Sequence, residues 1–145
     1  MNKVYRERAS TVCIRGGELL VFKGIDPTSK KEYWFLPGGA IEPSETAAEC
    51  ALRETYEETG YPVRLTKQSP LLKEFEFVWD GVLWHSKTHF FRAELADPAR
   101  APDAVDDAAY NMGAHWLKLM EWTTAFGYAN EILDAIRTLS KEFEF

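Results

Sequence analysis

The chain is poor in cysteine and has no long apolar run. Among its 145 residues the cysteines are Cys13 and Cys50, too few to suggest a disulfide framework, and we expect two buried, reduced thiols. No stretch of about 18 uncharged apolar residues occurs, so no membrane contact through a spanning helix is expected. The amino terminus also lacks the apolar core of a signal peptide. Together these absences predict a cytoplasmic protein.

Positive charge is also scarce. The chain has 17 Lys and Arg residues against 23 Asp and Glu, a net charge of −6, so binding of a nucleic acid polymer is not expected. A protein of this charge that handles phosphates must do so locally, with a metal ion or a few placed cations. Apolar residues are plentiful, at 46% with 14% aromatic, and need a folded core. The length favours a single domain over residues 1–145.

Turn signals predict two hairpins. Residues 9–14 and 19–22 are rich in strand formers and flank a Gly-Gly turn. Residues 72–79 alternate in polarity and lead into Asp80-Gly81, a strong two-residue hairpin signal, after which residues 82–93 return as a strand.

Two helices are expected among these strands. One runs from Ser44, the predicted N-cap, to about Thr59, with Gly60 suited to the left-handed C-cap. The other covers residues 126–139, where apolar residues recur at helical spacing. Strands interleaved with two helices predict an α/β layered domain around a mixed sheet.

The first of these helices carries a cluster of carboxylates. Glu54, Glu57 and Glu58 fall on one helical face. In a cleft, each like-charged pair at ~6 Å would cost roughly 3 kcal/mol at an effective dielectric near 20. A hard divalent cation would remove that cost, and ligands that are all oxygen favour Mg²⁺ or Mn²⁺. The plainer alternative is a solvated acidic face.

The approach to this helix favours the metal hypothesis. It is entered through Leu36-Pro37-Gly38-Gly39, where glycine lets the backbone come close to a ligand. A helix amino terminus also attracts anions, so phosphate oxygens and carboxylates could share the same ions.

The segment from Gly39 to Tyr61 resembles the Nudix box, G-x5-E-x7-R-E-U-x-E-E-x-G-U, where U is usually aliphatic. The specified positions are occupied by Gly39, Glu45, Arg53, Glu54, Glu57, Glu58 and Gly60. Thr55 and Tyr61 depart from the aliphatic pattern, both at packing positions. The resemblance implies a Nudix-like α/β/α sandwich with a mixed sheet and a loop-helix-loop catalytic motif.

The resemblance also implies roles for the box residues. Glu54, Glu57 and Glu58 would be metal ligands, joined by the carbonyl of Gly38. Arg53 would orient the glutamates, and Glu45 would pair with Arg53 as structural support. Gly39 would be a second supporting residue. The implied reaction is hydrolysis of a nucleoside diphosphate derivative, in which water attacks phosphorus and the other phosphate leaves.

The general base stays open. In this family it is either a box glutamate or a carboxylate on a later loop, where this chain offers Asp103, Asp106 and Asp107. A solvated loop is the simpler interpretation of these three aspartates.

Aromatic residues are candidates for binding the base of a small-molecule nucleotide. Trp34, Phe77 and Trp79, with Trp84, could stack on it, although ordinary core packing would also account for them. The sequence does not choose among a nucleoside triphosphate, a dinucleoside polyphosphate and a nucleotide sugar. Association into a homodimer is equally open.

Two other functions compete with hydrolysis. A Nudix-like domain that senses a nucleotide without cleaving it would tend to lose box glutamates, and this chain keeps them. An isoprenoid diphosphate isomerase of Nudix fold would need a reactive cysteine, and Cys50 has no obvious activating cation apart from Arg53.

Overall fold

A computed structural model describes residues 2–105 and 109–141 of the chain. The described strands, numbered in chain order, are β1 Lys3–Arg15, β2 Glu18–Ile25, β3 Glu32–Phe35, β4 Gly38–Ala40, β5 Val63–Leu65, β6 Leu71–Trp79, β7 Val82–Leu95 and β8 Asn111–Lys118. The described helices are α1 Ala47–Thr59, α2 Trp122–Ala125 and α3 Asn130–Ser140, with a 3₁₀ turn over Leu119–Glu121.

The strands form a mixed sheet. Its main path is β3-β2-β1-β7-β5, with β8 on β2, β4 on β1 and β6 on β7. Strands β1 and β7 run parallel from the pair Lys3 and Leu83 to the pair Cys13 and Ala93, whereas the neighbouring pairs are antiparallel. Both predicted hairpins are confirmed, one as β1–β2 and the other as β6–β7.

Helix α1 begins later than predicted. Its N-cap is Thr46, not Ser44, because the Thr46 hydroxyl accepts a hydrogen bond from the backbone N–H of Glu49 while the Glu49 carboxylate accepts from the N–H of Thr46. This reciprocal capping box satisfies two backbone donors. The predicted end is confirmed: Gly60 adopts φ 77°, and its N–H donates to the carbonyl of Tyr56.

The carboxy-terminal helix is shorter than its apolar pattern suggests. Phe126 and Ala129 are buried in the same core as α3, but the regular helix starts only at Asn130, after Ala129 at φ −148°. The periodicity therefore marked residues that face one core, not residues that share one helix.

Strand alternation sends buried side chains to both faces of the sheet. Adjacent residues of β1 divide between them: Val12 packs toward α3, and Cys13 lies on the opposite face. Phe90 and Phe91 of β7 divide in the same way, Phe91 contacting the cluster that holds Cys50 of α1. Helices thus cover both faces, which confirms the α/β sandwich. None of the helices among the described residues has the length and apolar composition needed to cross a membrane.

Candidate active site

Arg53 is the centre of a network of carboxylates. Its Nε and Nη2 atoms donate to both oxygens of Glu45, at 3.0 and 2.6 Å. Its Nη1 atom donates to Glu54 at 2.9 Å and to Glu57 at 3.1 Å. The paired guanidinium lowers the pKa of Glu45 to about 2, and Glu45 in turn raises the pKa of Arg53. The carboxylate cluster is therefore partly neutralised within the chain.

Glu54 and Glu58 approach the glycines that precede α1. Glu58 is buried, and its Oε1 atom accepts a hydrogen bond of 2.7 Å from the N–H of Gly38. A Cβ atom at Gly39 would lie 2.4 Å from the Glu54 carboxyl carbon, so only glycine leaves room for that side chain. Burial raises the pKa of Glu54, and the charge of Arg53 opposes this rise. Glu57 is more open, with 52% of its side chain exposed.

Glu54 and Glu58 line a cavity of about 270 Å³ that also has an aromatic wall. Phe35 packs edge-on against Phe77 and Trp79, with ring centroids 6.0 and 5.3 Å away, and Trp79 packs edge-on against Tyr110 at 5.8 Å. The other lining residues are Arg6, Arg8, Phe22, Leu36, Gly38 and Gly39. Carboxylates, cations and aromatic rings thus share one small cavity.

The structure does not bring Trp34 into this cavity. Side chains alternate along a strand, so Trp34 and its neighbour Phe35 leave β3 on opposite faces. Trp34 packs instead against His115, with ring centroids 5.0 Å apart, and lines a separate cavity of about 720 Å³ that contains no residue of the box. Phe77 and Trp79 do line the cavity with Glu54 and Glu58, and Phe35, not Trp34, lies beside them.

Sequence reasoning also missed the two cations of the cavity, Arg6 and Arg8. They are two residues apart on β1 and therefore share a face of that strand. Two arginines at this spacing, directly before the apolar segment of a strand, were the available signal. Whether these arginines lie near α1 depends on strand pairing, which no local sequence pattern reveals.

The loop aspartate Asp103 lies away from the cavity. Its carboxylate accepts hydrogen bonds from the Tyr56 hydroxyl and, at 2.6 Å, from Arg100. Its backbone N–H donates to the carbonyl of Gly60, at the carboxyl end of α1. The hydrogen bond from Tyr56 lowers the pKa of Asp103. The geometry therefore gives Asp103 a structural contact and does not place it as a base; Asp106 and Asp107 lie outside the described residues.

Cys50 offers no thiolate. Its Sγ atom lies 3.5 and 3.4 Å from the carbonyl oxygens of Gly39 and Ala40, to which the thiol donates. Burial raises the pKa of Cys50 to about 12, so the thiol stays protonated at neutral pH. This environment is unsuited to the isomerase chemistry that the sequence left open.

No three Asp, Glu, His or Cys side chains among residues 2–105 and 109–141 converge as a ready metal site. Instead, the Nη1 atom of Arg53 contacts both Glu54 and Glu57. The donors themselves are carboxylate oxygens, which suit a hard divalent ion. The residues fit such an ion by their chemistry, provided that Glu54 and Glu57 exchange Arg53 for it.

The comparisons with known proteins establish the family. A family model described as the NUDIX domain matches residues 4–136, and the chain therefore belongs to this family. It is 54% identical over 84 residues to the "Putative 8-oxo-dGTP diphosphatase" of Bacillus subtilis (strain 168), covering 58% of this chain and 49% of that protein. The chain thus spans about half the length of that relative.

Two further likenesses cover more of the chain. An RNA pyrophosphohydrolase of Erythrobacter litoralis (strain HTCC2594) is 34% identical over 122 residues, covering 74% of this chain and 70% of that protein. The solved structure of a C. elegans Ap4A hydrolase binary complex superposes with a TM-score of 0.69 at 21% identity, covering 95% of this chain and 97% of that one. At that identity the structural likeness shows the fold.

Proposed function

We propose that the protein is a metal-dependent pyrophosphohydrolase that cleaves the phosphate anhydride of a nucleoside diphosphate derivative. One observation carries the proposal: the cavity places the carboxylates of Glu54 and Glu58 in the same space as the rings of Phe77 and Trp79. Aromatic rings suit a nucleobase, and carboxylates suit the ion that a diphosphate requires. The relatives named as a diphosphatase and as a pyrophosphohydrolase support the same reaction class.

Glu54, Glu57 and Glu58 would hold Mg²⁺ or Mn²⁺, with the carbonyl of Gly38 as a further oxygen donor. When bound, the ion would neutralise charge on the phosphoryl oxygens and favour the attack of water at phosphorus.

Arg53 has two functions in this proposal. Its Nη1 atom donates to Glu54 and Glu57 and neutralises their charge. Its Nε and Nη2 atoms contact Glu45 independently, at 3.0 and 2.6 Å. Arg53 can therefore release the two metal-binding carboxylates while Glu45 keeps its side chain in place. This makes Glu45 a supporting residue that orients Arg53.

The aromatic rings and the glycines position the substrate. Phe77 and Trp79 would stack on the base, which leaves the phosphates toward α1. The absence of a side chain at Gly39 keeps the Glu54 carboxylate against the backbone of β4. The nucleoside triphosphates, dinucleoside polyphosphates and nucleotide sugars are all compatible with a cavity of this composition.

A panel of these three substrate classes tests the proposal. Each is incubated with the protein and Mg²⁺ or Mn²⁺, and released phosphate, pyrophosphate and nucleotide are separated by chromatography. We expect cleavage of an anhydride bond in at least one class and none in EDTA. Nucleotide binding without cleavage of any compound would favour the sensing module instead.

Thermal melts test the ion separately from turnover. A ligand at 100 times its dissociation constant stabilises the folded state by about 2.7 kcal/mol. We therefore expect millimolar Mg²⁺ or Mn²⁺ to raise the melting temperature of the wild type, and to do so less in the Glu54→Gln variant. Unchanged melting with no calorimetric binding would contradict the metal site.

A further inference from the structure

Arg6 and Arg8 of β1 line the cavity, on the strand that pairs in parallel with β7. Arg6 lies directly across from Ser86, and Arg8 from Thr88. Arg6 is fixed in place: its Nε atom donates to the Ser86 hydroxyl at 3.1 Å, and its guanidinium carbon lies 4.2 Å from the centre of the Trp84 ring. Burial lowers the pKa of Arg6 to about 10, which leaves it charged at neutral pH.

Arg8 is held less completely. Its Nε atom is buried without a hydrogen-bond partner among the described residues, and so is the hydroxyl of Thr88 on the neighbouring strand. A buried donor without a partner destabilises a folded protein. Arg8 lines the cavity and Thr88 does not, so the donor of Arg8 is the one that a polar ligand in the cavity can complete.

The strand register gives the order of the charged and aromatic groups along the cavity. Ala9 pairs with Gly39, which contacts Glu54, so Arg8 is the cation beside the carboxylates. Arg6 is two residues further along β1, toward the position where Trp84 pairs with Phe77 of the aromatic wall. Along the cavity, the aromatic rings are followed by Arg6, then Arg8 and then the carboxylates. A nucleotide whose base lies on the rings would place its phosphate chain along this order.

We propose that Arg8, beside the fixed Arg6, binds phosphate oxygens of the substrate and makes binding depend on the number of phosphates. This assignment rests on the proposed function for the identity of the substrate. The guanidinium supplies several N–H donors in a planar fork, which matches the oxygens of a phosphate group. Arg8 would thus be a specificity residue that separates nucleoside triphosphates from monophosphates, while the aromatic wall binds the nucleoside in both.

Binding measured without turnover tests this assignment. Guanosine and its 5′-mono-, di- and triphosphates are titrated calorimetrically into the protein in EDTA. For the wild type, we expect affinity to rise with each added phosphate. In Arg8→Gln, the affinity for the triphosphate should fall roughly 10- to 100-fold, the range of a hydrogen bond to a charged group. The affinity for guanosine should not change.

Arg15→Gln is the matched control. Arg15 is on the same strand and stacks on Trp116 at 3.9 Å, much as Arg6 stacks on Trp84, but it does not line the cavity. We expect this variant to bind every compound as the wild type does. Arg8→Lys keeps the charge and loses the planar fork, so it should lose part of the affinity for the triphosphate. This variant replaces Arg8→Gln in the experiment if Arg8→Gln does not fold.

The outcomes separate this proposal from the proposed function. Wild-type affinity that is independent of phosphate number would overturn the assignment, as would Arg8 variants that keep the full dependence. Equal losses for guanosine and the triphosphate would also overturn it, because they indicate a general structural defect. A wild type that binds as expected but cleaves no substrate with Mg²⁺ would contradict the pyrophosphohydrolase proposal and leave the role of Arg8 supported.

Discussion

Replacing Glu57 by glutamine removes one charge from α1 and keeps the size of the side chain. In the wild type, this carboxylate accepts a hydrogen bond of 3.1 Å from Arg53 Nη1, four residues earlier on the helix. The pair is substantially exposed, at 28% for Arg53 and 52% for Glu57. An exposed pair at this spacing contributes about 0.3–0.5 kcal/mol. Arg53 would keep its contacts with Glu45 and Glu54, so no buried charge is left without a partner.

The stability and the activity of Glu57→Gln should therefore separate. A loss of about 0.5 kcal/mol lowers the melting temperature by roughly 1–3 °C for a chain of this size. If Glu57 holds the ion, turnover should fall by a factor on the order of 100 or more, equivalent to about 2.7 kcal/mol in the activation free energy. The assay is steady-state cleavage of a substrate from the panel, with circular dichroism melts of the same preparations.

Glu49→Gln is the control for this variant. It removes the same charge from the same helix, and glutamine can still accept the hydrogen bond of 2.8 Å from the N–H of Thr46 that completes the cap. We expect near-wild-type turnover. Equal activity of the Glu57 and Glu49 variants would refute the catalytic role of Glu57, and a loss of activity that parallels unfolding would assign Glu57 a structural role.

The aromatic wall and the Arg53 network give two more predictions. Trp79→Ala should raise KM roughly 10-fold or more with a smaller effect on kcat, because stacking acts on ground and transition states alike. Trp34→Ala should leave KM unchanged, since Trp34 lines another cavity. Equal KM values for the two variants in steady-state kinetics would contradict a role of the aromatic wall in binding. The pKa of Glu45 falls from 4.5 to about 2 on pairing with Arg53, so this carboxylate contributes stability above pH 4.5 that is lost as the pH falls toward 2. Urea unfolding of the wild type and Glu45→Gln should therefore differ most at neutral pH and converge in acid, and a constant difference would refute the linkage.

Local features of this protein could be predicted from its sequence because they depend on residues close together in the chain. The period of a helix places Glu54 beside Glu57 and Glu58 whatever surrounds it, and Gly60 suits the C-cap for a reason of backbone geometry alone. Even the corrected start of α1 was present locally, as Thr46 followed three residues later by Glu49. The resemblance to the Nudix box then supplied the expected contact between Glu45 and Arg53, which the structure contains.

The composition of the cavity depended on the tertiary structure. Whether Trp34 or Phe35 faces the glutamates is set by how β3 pairs with β2, since a shift of one residue would exchange their faces. Arg6 and Arg8 reach the cavity because β1 pairs with both β7 and β4, joining residues about 80 and 30 positions apart. Asp103 is held at the far end of α1 by contacts with Tyr56 and Gly60. Strand register and loop docking are decided by the packing of the whole chain, so the local spacing that identified the carboxylates carried no information about the cations and rings that surround them.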